Sequence, residues 1–219
     1  MIGGADEAGR GPLIGPLVVA GVTVEDDTKL IEYGVKDSKK LTPQRREILA
    51  KKIKETALGY EILIIQATDI DDMRKVMTLN EIEVNAFIKV IKKLKPDICY
   101  VDSADVNEER FGRDILAGLS FKPEMISKHK ADDLYPVVGA ASILAKTRRD
   151  EEVRKIAEEL ENKINLPMGS GYPADPITQK FFRSWFEKFD KFPPHTRKSW
   201  KTAQNFLKNK SVKKLDEFQ

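Results

Sequence analysis

Two adjacent acids, Asp6 and Glu7, follow a short apolar opening, and Gly9, Arg10 and Gly11 come directly after them. Neighbouring carboxylates repel each other once ionised, so the pair is costly unless a cation or water offsets its charge. Glycine lets a backbone approach a ligand closely. Acid for a metal beside bare amides for a phosphate is the layout that phosphodiester cleavage needs. That reaction requires an activated water, a stabilised leaving oxygen and charge relief on the phosphate. Two divalent ions about 3.5–4 Å apart can supply all three. Magnesium prefers oxygen ligands and keeps some of its waters, so a few carboxylates suffice. Taken alone, an Asp-Glu pair is an ordinary solvated turn, and the chemistry calls for further acids from elsewhere. Asp102 ends the apolar run Ile98-Cys99-Tyr100-Val101, and Asp132 stands in His129-Lys130-Ala131-Asp132 just before a long apolar stretch. Asp133 follows at once and competes for the same role.

Such side chains need rigid elements beneath them. Residues 17–24 are rich in Val and read as a strand after the glycine loop. Residues 43–58 have helical periodicity, with Thr42 as the expected N-cap. A β-rich stretch covers 60–67. Residues 80–94 place Ile82, Phe87, Val90, Ile91 and Leu94 on one helical face. Asn80, at the start of that helix, is read as a cap or a phosphate contact. Residues 98–102 form a short strand that ends on a carboxylate, and 123–127 another. A long helix is expected over 137–164, buried in its apolar first half and solvated in its charged second half. Gly169-Ser170-Gly171-Tyr172-Pro173 breaks the chain, and basic, aromatic-rich helical sequence follows. Strands interleaved with helices predict an α/β core with a small helical C-terminal appendage. The expected division is 1–175 and 176–219.

The chain of 219 residues is 33% charged and 41% hydrophobic, which suits a globular protein able to bury a substantial core. The net charge is only +3, but eleven Lys or Arg face two Asp or Glu between residues 176 and 214. A basic lobe suited to a polyanion therefore adjoins an acidic remainder suited to metal. Cys99 is the only cysteine, which excludes a disulfide framework or a thiolate zinc site within one chain. No signal peptide or membrane-length apolar run is visible, so the expected location is cytoplasmic.

Seven stretches, in order, resemble the type 2 ribonuclease H family, ribonuclease HII. They are Asp6-Glu7-Ala8-Gly9-Arg10-Gly11, Lys36-Asp37-Ser38-Lys39-Lys40-Leu41, Tyr100-Val101-Asp102, His129-Lys130-Ala131-Asp132, Ala140-Ala141-Ser142-Ile143-Leu144-Ala145-Lys146, Gly169-Ser170-Gly171-Tyr172-Pro173 and Arg197-Lys198-Ser199-Trp200-Lys201-Thr202. Each motif alone is weak, but their order over most of the chain is specific, and the Lys-Ala-Asp form looks archaeal. The resemblance implies a ribonuclease H-like fold, a central mixed sheet flanked by helices. It implies an endoribonuclease acting on RNA in RNA/DNA hybrids and at ribonucleotides embedded in duplex DNA, leaving 5′-phosphate and 3′-hydroxyl ends. It also implies roles in replication and ribonucleotide excision repair. Four carboxylates, Asp6, Glu7, Asp102 and Asp132, would hold two ions, Mg2+ or Mn2+. Gly9, Arg10 and Gly11 would sense the ribose 2′-hydroxyl mainly through backbone, and Tyr172 would stack beside it. Lys39 and Lys40 resemble a phosphate-contact loop.

Several of these residues have a plainer reading. Lys39, Lys40 and Lys146 are of a type usually found solvated. Ser142 and Lys146 are one helical turn apart and share a face. Ser142 either lies near the metals or bonds its own backbone. A tyrosine in a loop is commonly a packing residue. Trp185 and Trp200 read as core aromatics of the appendage, and His129 as a neighbour of the Lys-Ala-Asp motif. Gly4 to Gly9 has partial P-loop spacing but lacks the Lys-Ser/Thr that grips phosphate and magnesium. Residues 211–219 loosely resemble a sliding-clamp-binding tail, the alternative being a frayed terminus. The chain is expected to act as a monomer without a membrane. A non-catalytic binding module would lack acids, and a partner-dependent subunit would be inactive alone.

Overall fold

The computed structural model describes residues 1–35 and 41–216, with side chains as far as residue 208. The expected phosphate-contact lysines, Lys39 and Lys40, lie outside the described residues, as do 217–219 of the tail. Five strands are present among the described residues: β1 (Ile2–Ala8), β2 (Leu17–Val24), β3 (Gly59–Ile65), β4 (Ile98–Asp102) and β5 (Glu124–Lys128). The helices are α1 (Thr28–Tyr33), α2 (Pro43–Thr56), α3 (Ala67–Met73), α4 (Leu79–Leu94), α5 (Glu108–Ala117), α6 (Ala131–Leu134), α7 (Pro136–Ile164), α8 (Pro176–Phe189) and α9 (Lys201–Asp216). Among the described residues, no helix is long and apolar enough to cross a membrane.

The chain groups into two compact units, one of 1–8, 17–64 and 77–150, the other of 9–16, 65–76 and 151–219. This grouping differs from the division expected after residue 175. The last segment of the second unit begins within α7, and the unit also takes in two earlier segments of the chain.

The first unit is built on a mixed sheet ordered β3-β2-β1-β4-β5. β1 pairs antiparallel with β2 and parallel with β4, and β4 pairs parallel with β5. Every residue of β2 is buried, as its largely apolar sequence requires, and the one polar side chain, Thr23, donates its hydroxyl to Gly59 O at 3.2 Å. Glycines fix how closely helices approach each face. A Cβ at Gly4 would lie 2.4 Å from the Val137 carbonyl carbon of α7. A Cβ at Gly21 would lie 2.6 Å from Val90 and 2.7 Å from Leu94 of α4. Gly21 pairs with Ala5, the neighbour of Gly4 on β1. Adjacent strand residues point to opposite faces, so α4 and α7 cover opposite sides of the sheet. The core between β2, α2 and the first half of α7 is almost wholly aliphatic.

Helix starts follow local chemistry. Thr42 caps α2 as expected, accepting from the Arg45 N–H. Thr78 caps α4 through a capping box with Glu81. Asn80 is therefore not the cap, and its amide instead donates to Asp105 at 2.9 Å.

The second unit has its own core. Leu13, Ile14, Ile156, Leu160, Phe181 and Trp185 are buried there, with Trp200 and Phe206 packed against them. Both tryptophans thus take the structural role expected of them. Ile156 and Leu160 lie in the charged half of α7 and are buried. That half is one-sided rather than solvated all round.

Candidate active site

In the first unit three acids from distant parts of the chain converge. Asp6, Asp102 and Asp132 each offer a carboxylate oxygen within 4.8 Å of the others, the one such metal-holding group among the described residues. β1 carries Asp6 on the pleat that also carries Gly4, the face covered by α7. Asp102 ends β4, the parallel neighbour of β1. Its Oδ1 accepts the Ala131 N–H at 3.2 Å, which ties it to the start of the turn carrying Asp132. Asp132 is 2% exposed whereas Asp133 is open to solvent, so the choice between them falls on Asp132. Glu7 is not part of the group. It is the next residue of β1, and its backbone N–H donates to Asp6 Oδ1 at 2.7 Å.

Three buried or half-buried carboxylates this close cannot all ionise cheaply. Burial, and then the charges of Asp102 and Asp132, push the Asp6 carboxyl up to about 7. Ser142 and Lys146 act in the opposite direction. The Ser142 hydroxyl is fully buried and finds no hydrogen-bond partner of good geometry among the described residues. It lies beside Asp6 rather than bonding its own helix. Lys146 Nζ stands 3.8 Å from Asp132 Oδ2. Both residues of the shared helical face therefore reach the acids. A divalent cation fits this donor set: all oxygen, clustered, and carrying more negative charge than burial tolerates.

In the second unit the chain leaves β1 into Gly9, at φ 87°, a conformation that favours glycine. A Cβ at Gly11 would lie 3.7 Å from the Tyr172 ring, in ordinary contact. Gly171 O accepts the N–H groups of Leu13 and Ile14 at 2.8 and 3.1 Å. The two motifs assigned by resemblance to the ribose therefore lie together. Asp175 braces the tyrosine loop by accepting from the Ser170 N–H and hydroxyl, both at 2.7 Å. These bonds, then one from the Ile177 N–H, hold its carboxyl down at about 2. Gly4 to Gly9 lies mostly within β1 and opens no helix, which removes the P-loop reading.

Arg197 heads the last of the seven family-like stretches but was given no role there, and it is completely buried. Its guanidinium donates to Gly9 O at 2.6 Å, Arg10 O at 2.8 Å and Gly15 O at 3.0 Å. An arginine in a basic stretch reads as surface. The available signals were its place in the family-like stretch 197–202 and the nearby Trp200, whose ring centroid lies 4.8 Å from the guanidinium carbon.

Comparison with known proteins bears on the family and the fold. A sequence model of the family described as ribonuclease HII matches residues 3–203. A ribonuclease HII from Methanococcoides burtonii is 48% identical over 212 residues, 93% of this chain and 98% of that protein. The crystal structure of the ribonuclease H2 from Pyrococcus horikoshii OT3 superposes with a TM-score of 0.87 at 39% identity, over 95% of this chain and 97% of that one. The Archaeoglobus fulgidus ribonuclease HII, solved in complex with PCNA, superposes with a TM-score of 0.84 at 41% identity, over 94% and 96% of the two chains. With the family match spanning nearly the whole chain and the fold shared with both solved structures, this chain belongs to the ribonuclease HII family of ribonuclease H endonucleases.

Proposed function

We propose that this ribonuclease H cleaves the RNA strand of RNA/DNA hybrids and also cuts at single ribonucleotides embedded in duplex DNA, leaving 5′-phosphate and 3′-hydroxyl ends. The observation that carries this reading is the convergence of Asp6, Asp102 and Asp132 to within 4.8 Å. Those three residues, with Glu7 completing the set from the end of β1, would hold two divalent ions, Mg2+ or Mn2+. Bound there, the ions supply an activated water and relieve the charge on the phosphate. Lys146 offsets the negative charge around Asp132, and the Ser142 hydroxyl favours the ionised form of Asp6. The amides of Gly9, Arg10 and Gly11 select the ribose by its 2′-hydroxyl, the group that distinguishes RNA from DNA at each sugar. The Tyr172 ring stacks beside it. Lys39 and Lys40 contact phosphate. In this reading the protein works as a monomer and removes ribonucleotides from DNA during replication and repair.

The test is cleavage by the purified protein alone, on a hybrid duplex and on a duplex with one ribonucleotide, with Mg2+, Mn2+ or a chelator. Cutting of both substrates with either ion, and of neither under chelation, is expected. Intact substrate under every condition ends the reading. The Archaeoglobus relative was solved with PCNA, which supports residues 211–219 here as a contact for a sliding clamp. Deleting those nine residues should weaken clamp binding while leaving cleavage of a free hybrid unchanged. Clamp affinity that survives the deletion would discard that contact.

A further inference from the structure

Arg197 is a buried cation spent on backbone carbonyls. Removing a guanidinium from water is costly, and the segment that carries it is held from several directions. The Arg197 N–H donates to Leu13 O at 2.8 Å, and the Gly15 N–H donates to His195 O at 3.0 Å. Asp71 of α3 accepts the N–H groups of Lys198 and Ser199, at 2.7 and 2.9 Å, and the Ser199 hydroxyl at 2.6 Å. Residues 195–199 are therefore fixed to α3 on one side and to the loop at 9–16 on the other. The loop already has backbone bonds to Gly171, His195 and Arg197, so a buried arginine side chain is an expensive addition unless the carbonyl directions matter.

The peptide bonds of the described residues are all trans. A trans peptide is planar, with its C=O and N–H pointing in opposite directions. Drawing the Gly9 and Arg10 carbonyls onto the guanidinium therefore turns the N–H groups of Arg10 and Gly11 away from it. Gly11 is exposed, and a Cβ built there would lie 3.7 Å from the Tyr172 ring. A cation on the carbonyl also polarises each peptide and strengthens the N–H as a donor.

We infer that Arg197 is the positioning residue of ribose recognition: its planar fork sets the two peptides so that the amides of Arg10 and Gly11 face the ribonucleotide. The inference rests on the reading of Gly9, Arg10 and Gly11 as the ribose-selecting loop. Lysine cannot replace the fork, because a single ammonium lacks fixed donors for three carbonyls.

If the wild-type protein cuts neither substrate, the proposed function itself fails and no variant is needed. Given wild-type cleavage, R197K and R197Q are compared with it in three measurements. These are thermal unfolding, the single-turnover rate at saturating enzyme on a duplex with one ribonucleotide, and the affinity for the same duplex made wholly of DNA. Folded variants are expected to lose about 100-fold in rate, the scale of a misplaced contact group. Their affinity for all-DNA duplex should stay within about threefold, the range of a change away from the contact surface. A folded R197K that cleaves within about threefold of wild type overturns the inference. An equal loss of all-DNA binding overturns it too, since general loosening of the unit gives that result. Should neither variant fold, the wild-type amides are followed by NMR under chelation while each duplex is added. The Arg10 and Gly11 signals must shift further with the ribonucleotide-containing duplex. Identical shifts with both overturn the inference.

Discussion

At the residue scale the buried acids set both chemistry and stability. The Asp6 carboxyl stands near 7 in the folded chain against an ordinary 3.8, chiefly through burial and then through Asp102. A raised acid binds its proton more tightly when folded, so stability falls as pH rises between about 4 and 7 and stays low above. At 1.36 kcal/mol per pH unit, the cost at pH 8 is at most about 4 kcal/mol. Asp6→Asn keeps the shape and removes the charge. In chelator, urea unfolding should find this variant more stable than wild type at pH 8 by about 1–3 kcal/mol and no more stable at pH 4. The same variant should lose cleavage by about 100-fold or more if Asp6 is the metal ligand proposed above. Added Mg2+ should raise the wild-type melting temperature at pH 8 and leave the variant's unchanged. Equal wild-type stability at pH 4 and 8 under chelation would show that Asp6 ionises without penalty. Ser142 makes a contrasting case. Its hydroxyl is buried without a well-placed partner, so Ser142→Ala should change stability by less than about 1 kcal/mol. Losing the group that favours charged Asp6 should move the acid limb of the pH–rate profile upward. An unmoved limb would remove Ser142 from the site.

At the element scale the placement of Asp6 depends on how closely α7 lies on β1. Gly4 and Asp6 share a pleat, and the Gly4 position leaves no room for a Cβ beside the Val137 backbone. Gly4→Ala should therefore push α7 away, costing about 3 kcal/mol or more and disturbing Asp6 and Ser142 together. Gly34→Ala is a poor control because Gly34 has φ 71°. Much of this scaffold was legible in the sequence, because strong signals are local. Thr42 before Pro43 marked α2, the apolar spacing of Ile82, Phe87 and Val90 marked α4, and the valine-rich run of β2 marked a strand. Motif order placed Asp102 and Asp132 at element ends, where they are found. What escaped was short or tertiary. α3 and α6 are too short to show a period. α5 carried a readable signal, with Asn107 as its N-cap, Glu108 and Glu109 in the first turn and Phe111 and Ile115 four apart, but it lies in a charged stretch. The stretch 197–202 marked Arg197 as part of a motif but not its buried role, because its three acceptors lie more than 180 residues away.

At the scale of the whole molecule, charge is divided along the chain rather than spread evenly. Eleven of the Lys and Arg residues lie between 176 and 214, against two acids, while the metal-suited carboxylates lie in the other unit. A duplex is a polyanion whose condensed counterions are released on binding, so affinity falls with salt at about 0.9 log units per log unit of salt for each phosphate neutralised. Lys180 and Arg183 sit exposed on α8. They face solvent, outside the aromatic core built by Phe181, Phe182 and Trp185 on the same helix. Substituting both by alanine should leave the melting temperature nearly unchanged, because exposed changes of this kind stay within about 0.5 kcal/mol. If each contacts one phosphate, the slope of log affinity against log salt should shrink by roughly two, with several-fold weaker binding at low salt. The rate at saturating substrate should hold, since neither residue touches the acids or the ribose loop in this reading. Hybrid-binding titrations at four or five salt concentrations give the slope directly. A double variant with the wild-type slope would move the duplex contact elsewhere on the molecule and leave the basic C-terminal helices with only a solubilising role.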